Sequence, residues 1–120
     1  MKKRLPLLAL ALFAAFASLI VAEEQKKPEP AVIEGTVFRD PGYALADAKV
    51  TLLADDGGKR KKLQETTSNY RGEYAFSVPA REAKYVVRAA LKGYRPDEKQ
   101  ASISGLERID VNLVLVPETK

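Results

Sequence analysis

Four cations stand in a row at Lys59, Arg60, Lys61 and Lys62, directly after Asp55-Asp56-Gly57-Gly58. Two carboxylates in a glycine-bearing loop could begin a calcium site. Calcium takes about six to eight oxygens, however, and the adjoining cations oppose a second positive charge. The acidic-glycine segment therefore reads as a turn. The cations read as a solvated hairpin tip that discourages edge-to-edge pairing. Alternatively they touch anionic lipid, lipopolysaccharide or glycan, at about 1 kcal/mol each near a charged surface. Tyr43, Tyr70 and Tyr94 lie in turn-rich segments and are the aromatic candidates for a contact surface.

Catalysis has little to work with. The chain has no histidine and no cysteine. The commonest general base, the commonest transition-metal ligand and thiol chemistry are all missing. Acid–base work would fall to Asp, Glu, Lys or Tyr, and no pair has a spacing that predicts convergence. No catalytic, cofactor or metal site is expected.

The net charge of +4 is unevenly placed. Without Lys2, Lys3 and Arg4, 17 of the 20 basic residues remain against 16 acidic ones, a net of +1. The basic balance therefore gives no case for a nucleic-acid partner. Those three cations precede an apolar run from Leu5 to Val21, interrupted by Ser18. This is the form of a secretory signal over residues 1–22. Cleavage after Ala17 would free Ser18, and cleavage after Ala22 would free Glu23. The abrupt change to Glu-Glu-Gln-Lys-Lys favours the second site. An uncleaved run would instead be a membrane anchor, the one expected route to a membrane. Residues 23–31 carry Pro28 and Pro30 and read as an extended linker.

From Val32 onward apolar and polar residues alternate, and turn residues recur every eight to twelve positions. Ile33, Gly35 and Val37 form one inward set, and Ala48, Val50 and Leu52 the next. Leu63 to Ser68 reads as a polar edge strand. Tyr74, Phe76 and Val78, then Tyr85, Val87 and Ala89, then Ala101 and Ile103 follow. Ile109, Val111, Leu113 and Leu115 make the last strand. Asp40-Pro41-Gly42, Asn69 to Gly72 and Lys92 to Pro96 read as turns or loops. Seven strands in about 85 residues predict an all-β, antiparallel two-sheet sandwich. Residues 32–117 form the domain and 118–120 a tail.

The order of these pieces resembles the carboxypeptidase regulatory-like domain family. Gly35-Thr36-Val37 matches its opening G-x-V, and Ala48-Lys49-Val50-Thr51-Leu52 its second strand. Thr67 to Phe76, with Gly72 and Tyr74, resembles its T-x-x-x-G-x-Y-x-F segment, with one more residue before the glycine. Tyr85, Val87 and Ala89, followed by Gly93-Tyr94, match the next pieces. The resemblance implies a transthyretin-like, Ig-like sandwich that serves as an accessory module. Hydroxyisourate hydrolases of that fold use histidines and a C-terminal Tyr-Arg-Gly-Ser. Here Tyr70-Arg71-Gly72 is mid-chain and followed by Glu73. Cna B-type relatives carry a Lys–Asn isopeptide bond. The first strand here has no Lys, and Asn112 alternates outward.

The sequence thus predicts an exported, monomeric, non-catalytic binding or scaffolding module of a bacterial periplasm or envelope. Its partner would be an envelope protein or a glycan. A rival reading is an assembly role through pairing of an edge strand.

Overall fold

In a computed structural model, residues 28–119 are described. The expected signal segment 1–22, its two expected cleavage sites and residues 23–27 of the expected linker lie outside them. Strong alternation and frequent turns produce ten strands rather than seven, with no helix among the described residues. They are β1 (Ala31–Arg39), β2 (Tyr43–Ala44), β3 (Lys49–Asp56), β4 (Lys59–Thr67), β5 (Glu73–Val78), β6 (Ala83–Ala90), β7 (Tyr94–Arg95), β8 (Asp97–Ile103), β9 (Arg108–Asp110) and β10 (Leu113–Pro117). The first strand takes in Ala31, which is fully buried.

Two sheets face each other. One has the order β4-β3-β6-β8 and is antiparallel throughout. The other is built around β1 and is mixed. β5 and β2 pair with β1 antiparallel on one side, β9 and β10 pair with it parallel on the other, and β7 closes the far edge. The expected antiparallel sandwich is corrected here, because the chain returns to β1 from the opposite sheet and runs in β1's own direction.

The inward sets read from the alternation fill the core. Ile33, Val37, Val50, Leu52, Phe76, Val87, Ile103, Leu113 and Leu115 are all at most 3% exposed. Tyr74 and Phe76 pack ring against tilted ring, with centroids 5.7 Å apart. Ile109 is only half-buried.

The expected single strand from Ile109 to Val116 is two strands, and the reason lies at Gly35. Val32 N–H donates to Glu107 O (3.0 Å), and Asp40 N–H to Leu115 O (2.9 Å). The same register sets the Val111 carbonyl opposite the Thr36 amide. That carbonyl instead leans over Gly35, where a Cβ would fall inside its van der Waals shell. It accepts the Tyr74 hydroxyl. Asn112 Oδ1 takes its place in the ladder and accepts from Thr36 N–H at 2.9 Å. Glycine is needed for the close approach, and Asn112 supplies the acceptor that the rotated carbonyl no longer provides.

Candidate functional site

β1 and β10 run in the same direction, so both finish at one end of the sandwich. The turn before β5 is bound to that end. Val37 N–H donates to Gly72 O (2.7 Å), and Leu45 N–H donates to Val37 O (2.8 Å). Gly72 has φ +78°, and a Cβ there would lie 2.5 Å from the Val37 carbonyl oxygen. Asn69 organises the same turn. Its Oδ1 accepts from the amides of Arg71 and Glu73, each at 2.9 Å. Tyr70 projects from this locked turn and is 80% exposed, with the Arg71 guanidinium 5.6 Å from its ring centroid.

Tyr43 stands at the same end. It is placed not in a loop but in the two-residue strand β2, opposite Arg39. It is 63% exposed, and the Arg39 guanidinium lies 5.4 Å from its ring centroid. Arginine over an aromatic face is a cation–π arrangement. Tyr94 departs further from expectation. It lies in β7 opposite Pro117, half-buried against the core. Pairing with β10 turns the expected loop into a strand, so Tyr94 closes the end of the sandwich more than it offers a surface.

The cations lie elsewhere. Lys59, Arg60, Lys61 and Lys62 are residues of β4, not of a loop, and the turn itself is only Gly57-Gly58. They pair with β3 residues Asp56, Asp55, Ala54 and Leu53 at the end of β3 remote from Ser68 and Gly72. The structure therefore separates them from the tyrosines. The mutual opposition of Asp55 with Arg60 and Asp56 with Lys59 extends the hairpin to its tip.

Two of the four cations are already partnered. Arg60 Nη1 donates to Glu98 Oε2 at 2.7 Å, and Arg88 meets the other oxygen at 3.2 Å. Lys62 Nζ meets Glu65 at 2.9 Å. The hydrogen bond from Arg60, followed by its charge and by Arg88, holds the Glu98 carboxyl below its ordinary value. Lys62 does the same for Glu65. Lys59 and Lys61 make no ion pair among the described residues.

Three features were not anticipated. Ser68 is buried, accepts from Ala48 N–H (3.0 Å) and donates to Leu45 O (2.8 Å), fixing the segment that leads into β3. Asn69 and Asn112 act as backbone substitutes, as described. Asn69 was read as the start of a turn, and its two-amide cap is local, closing on the amides of Arg71 and Glu73. The third feature is an open groove of about 660 Å³ lined by Glu34, Thr36, Thr66, Thr67, Glu73 and Ala75, among others. Glu34 in it is held by Arg108 at 2.9 Å, and the buried Tyr74 hydroxyl beside it is committed to the Val111 carbonyl. Burial, with the Asp110 charge behind it, raises the Tyr74 phenol well above its ordinary value. Among the described residues, no three acidic side chains are placed to hold a metal ion.

A profile described as the carboxypeptidase regulatory-like domain matches residues 32–116. No curated protein matches the chain. Solved structures share its fold. The 3-chlorocatechol 1,2-dioxygenase of Rhodococcus opacus 1CP aligns at 12% identity and a TM-score of 0.55, over 78% of this chain and 62% of that one. The catechol 1,2-dioxygenase of Acinetobacter sp. ADP1 aligns at 13% identity and a TM-score of 0.57, over 79% and 55%. GBS52, the minor pilin of Streptococcus agalactiae, aligns at 12% identity and a TM-score of 0.60, over 77% and 46%. The chain spans less than two thirds of each. At these identities the likeness is one of fold.

Proposed function

This chain belongs to the carboxypeptidase regulatory-like domain family, and from that premise we propose that it is a non-catalytic binding or scaffolding module of a bacterial periplasm or cell envelope. The contact surface is the end of the sandwich that carries Tyr43 and Tyr70. The observation behind this reading is that both rings are largely exposed, each under an arginine, on segments hydrogen-bonded to the rigid sheet. Tyrosine and arginine are enriched among residues that dominate binding energy, and loops fixed on a rigid scaffold are where contacts concentrate. The ionisable groups with displaced pKa values have structural partners. Glu65 and Glu98 sit in surface ion pairs, and Tyr74 holds a main-chain carbonyl. Tyr74 borders the open groove, but its hydroxyl is already committed to that carbonyl. Export rests on the N-terminal signal pattern.

The partner is an envelope protein or a glycan. The test uses full-length protein expressed with its own N-terminus, followed by sedimentation with isolated peptidoglycan and with envelope membranes. The intact protein should co-sediment with one of these fractions, and Tyr43→Ala with Tyr70→Ala should abolish it while the fold is retained. Unchanged co-sedimentation of the double variant would overturn the assignment of the surface.

Edge pairing is the second reading, favoured by β4, whose nine residues form the edge of their sheet and are nearly all exposed. The same strand carries the four cations and a bulge between Lys62 and Gln64, opposite Leu52 and Leu53. Both features protect edges against pairing. The tyrosine end is therefore preferred.

A further inference from the structure

The scaffolding half of that reading can be taken further, because the first and last strands of the sandwich are hydrogen-bonded neighbours running in the same direction. The chain comes in at Ala31, beside Val78 at one end. It leaves at Pro117, beside Tyr94 at the other. Tension applied through the two flanks therefore pulls β1 and β10 along their own axes in opposite directions. We infer that the domain is a load-bearing link, with the β1–β9–β10 ladder as its mechanical clamp.

The geometry carries this. In a parallel pair the ladder bonds are evenly spaced and slant from strand to strand. A pull along the strands loads them together, whereas a pull at one end of a pair breaks them in succession. The clamp also extends along all of β1. Its bonds run from Val32 N–H to Glu107 O (3.0 Å), through Val111 N–H to Glu34 O (2.7 Å), to Asp40 N–H and Leu115 O (2.9 Å). Its weak point would be the crossing at Gly35, where the Val111 carbonyl leaves the ladder. Asn112 Oδ1 closes that gap by accepting from Thr36 N–H. The Tyr74 hydroxyl pins the displaced carbonyl from the opposite side of β1. Arg108 Nε bonds Glu34 Oε2 at 2.9 Å and braces β9 to β1 through side chains. On its other flank β1 is held over six residues by β5. Forced unfolding is governed by the barrier to unfolding rather than by equilibrium stability. A clamp of this kind raises that barrier along one direction only.

The test is single-molecule pulling on the full chain in two geometries. The chain contains no cysteine, so paired substitutions define the attachment points. Pro28→Cys with Thr119→Cys pulls along the clamp. Pro28→Cys with Arg81→Cys pulls apart β1 and β5 at a shared end, since both residues line one groove. The unfolding force should be several-fold higher in the first geometry. Asn112→Ala should lower the force in the first geometry and leave the second unchanged. Equal forces in the two geometries would overturn the inference, and they remain decisive if Asn112→Ala fails to fold. The result is independent of the binding surface. Tyr43→Ala with Tyr70→Ala should leave both forces unchanged, so loss of partner binding and loss of mechanical resistance are separately readable.

Discussion

Gly35 is the residue on which most depends. Any side chain there meets the Val111 carbonyl, which is backbone and cannot swing aside. Gly35→Ala should destabilise the domain by about 3 kcal/mol or more, toward the upper range for forced overpacking; urea unfolding measures it. Tyr74→Phe leaves that same carbonyl without its donor in a buried setting, a loss of about 1–3 kcal/mol. It has a second signature. The Tyr74 pKa is raised by folding, so the protein's stability is intact below the unfolded phenol's value, about 10, and falls as the pH climbs beyond it. In alkaline denaturation the wild type should therefore lose stability more steeply above that pH than Tyr74→Phe does. The glycine was legible in the sequence as a member of an inward set. Its neighbour was not, because Val111 reaches it only after the chain has crossed both sheets.

Among the elements, the β4-β3-β6-β8 sheet shows how surface charge is used. Val86 is 1% exposed although Tyr85 and Val87 on either side of it point inward. It therefore faces outward, and long side chains must cover it. Arg60 reaches from β4 to Glu98 on β8 across the two central strands of this sheet. Arg60→Ala should cost about 1 kcal/mol or slightly more, since an exposed ion pair contributes little by itself and the rest is lost stem packing. Folding lowers the Glu98 and Glu65 pKa values, so their contribution is present above the unfolded glutamate value and is lost as the pH falls through the folded one. Thermal melts between pH 7 and pH 3 should show a smaller acid-induced drop in Arg60→Ala than in the wild type. The alternation that defined the inward sets was correct nearly throughout, because burial imposes a period of two on any half-buried strand. Strand ends were less legible. Lys59 to Lys62 looked like a loop tip because lysine is depleted from strands. Opposite Asp55 and Asp56 they extend the hairpin.

For the whole molecule, packing of one core explains tolerance and failure alike. Phe76, 3% exposed between the sheets, should cost about 3–5 kcal/mol on replacement by alanine, readable as a lowered urea midpoint with unchanged slope. Tyr43→Ala and Tyr70→Ala remove exposed rings and should leave that midpoint nearly unchanged while removing binding. Export is tested by intact mass and fractionation of protein made with its own N-terminus. A mass beginning at Ser18 or Glu23, outside the cytoplasm, is the expected outcome. A full-length mass in the membrane fraction would make residues 5–22 an anchor.

The sequence by itself determined the class of fold, the residues of the core and the family, because burial on one face and turn chemistry act locally and leave their period in the chain. Of the three tyrosines read in turn-rich segments, Tyr43 and Tyr70 are exposed and Tyr94 is half-buried against the core. Only the tertiary structure decided that the terminal strands run in parallel, that the tyrosines and the cations occupy opposite ends, and that Asn112 stands in for a main-chain acceptor. Each of these depends on which strand lies beside which. That is settled by pairing between segments distant in the chain, where no local pattern is recorded.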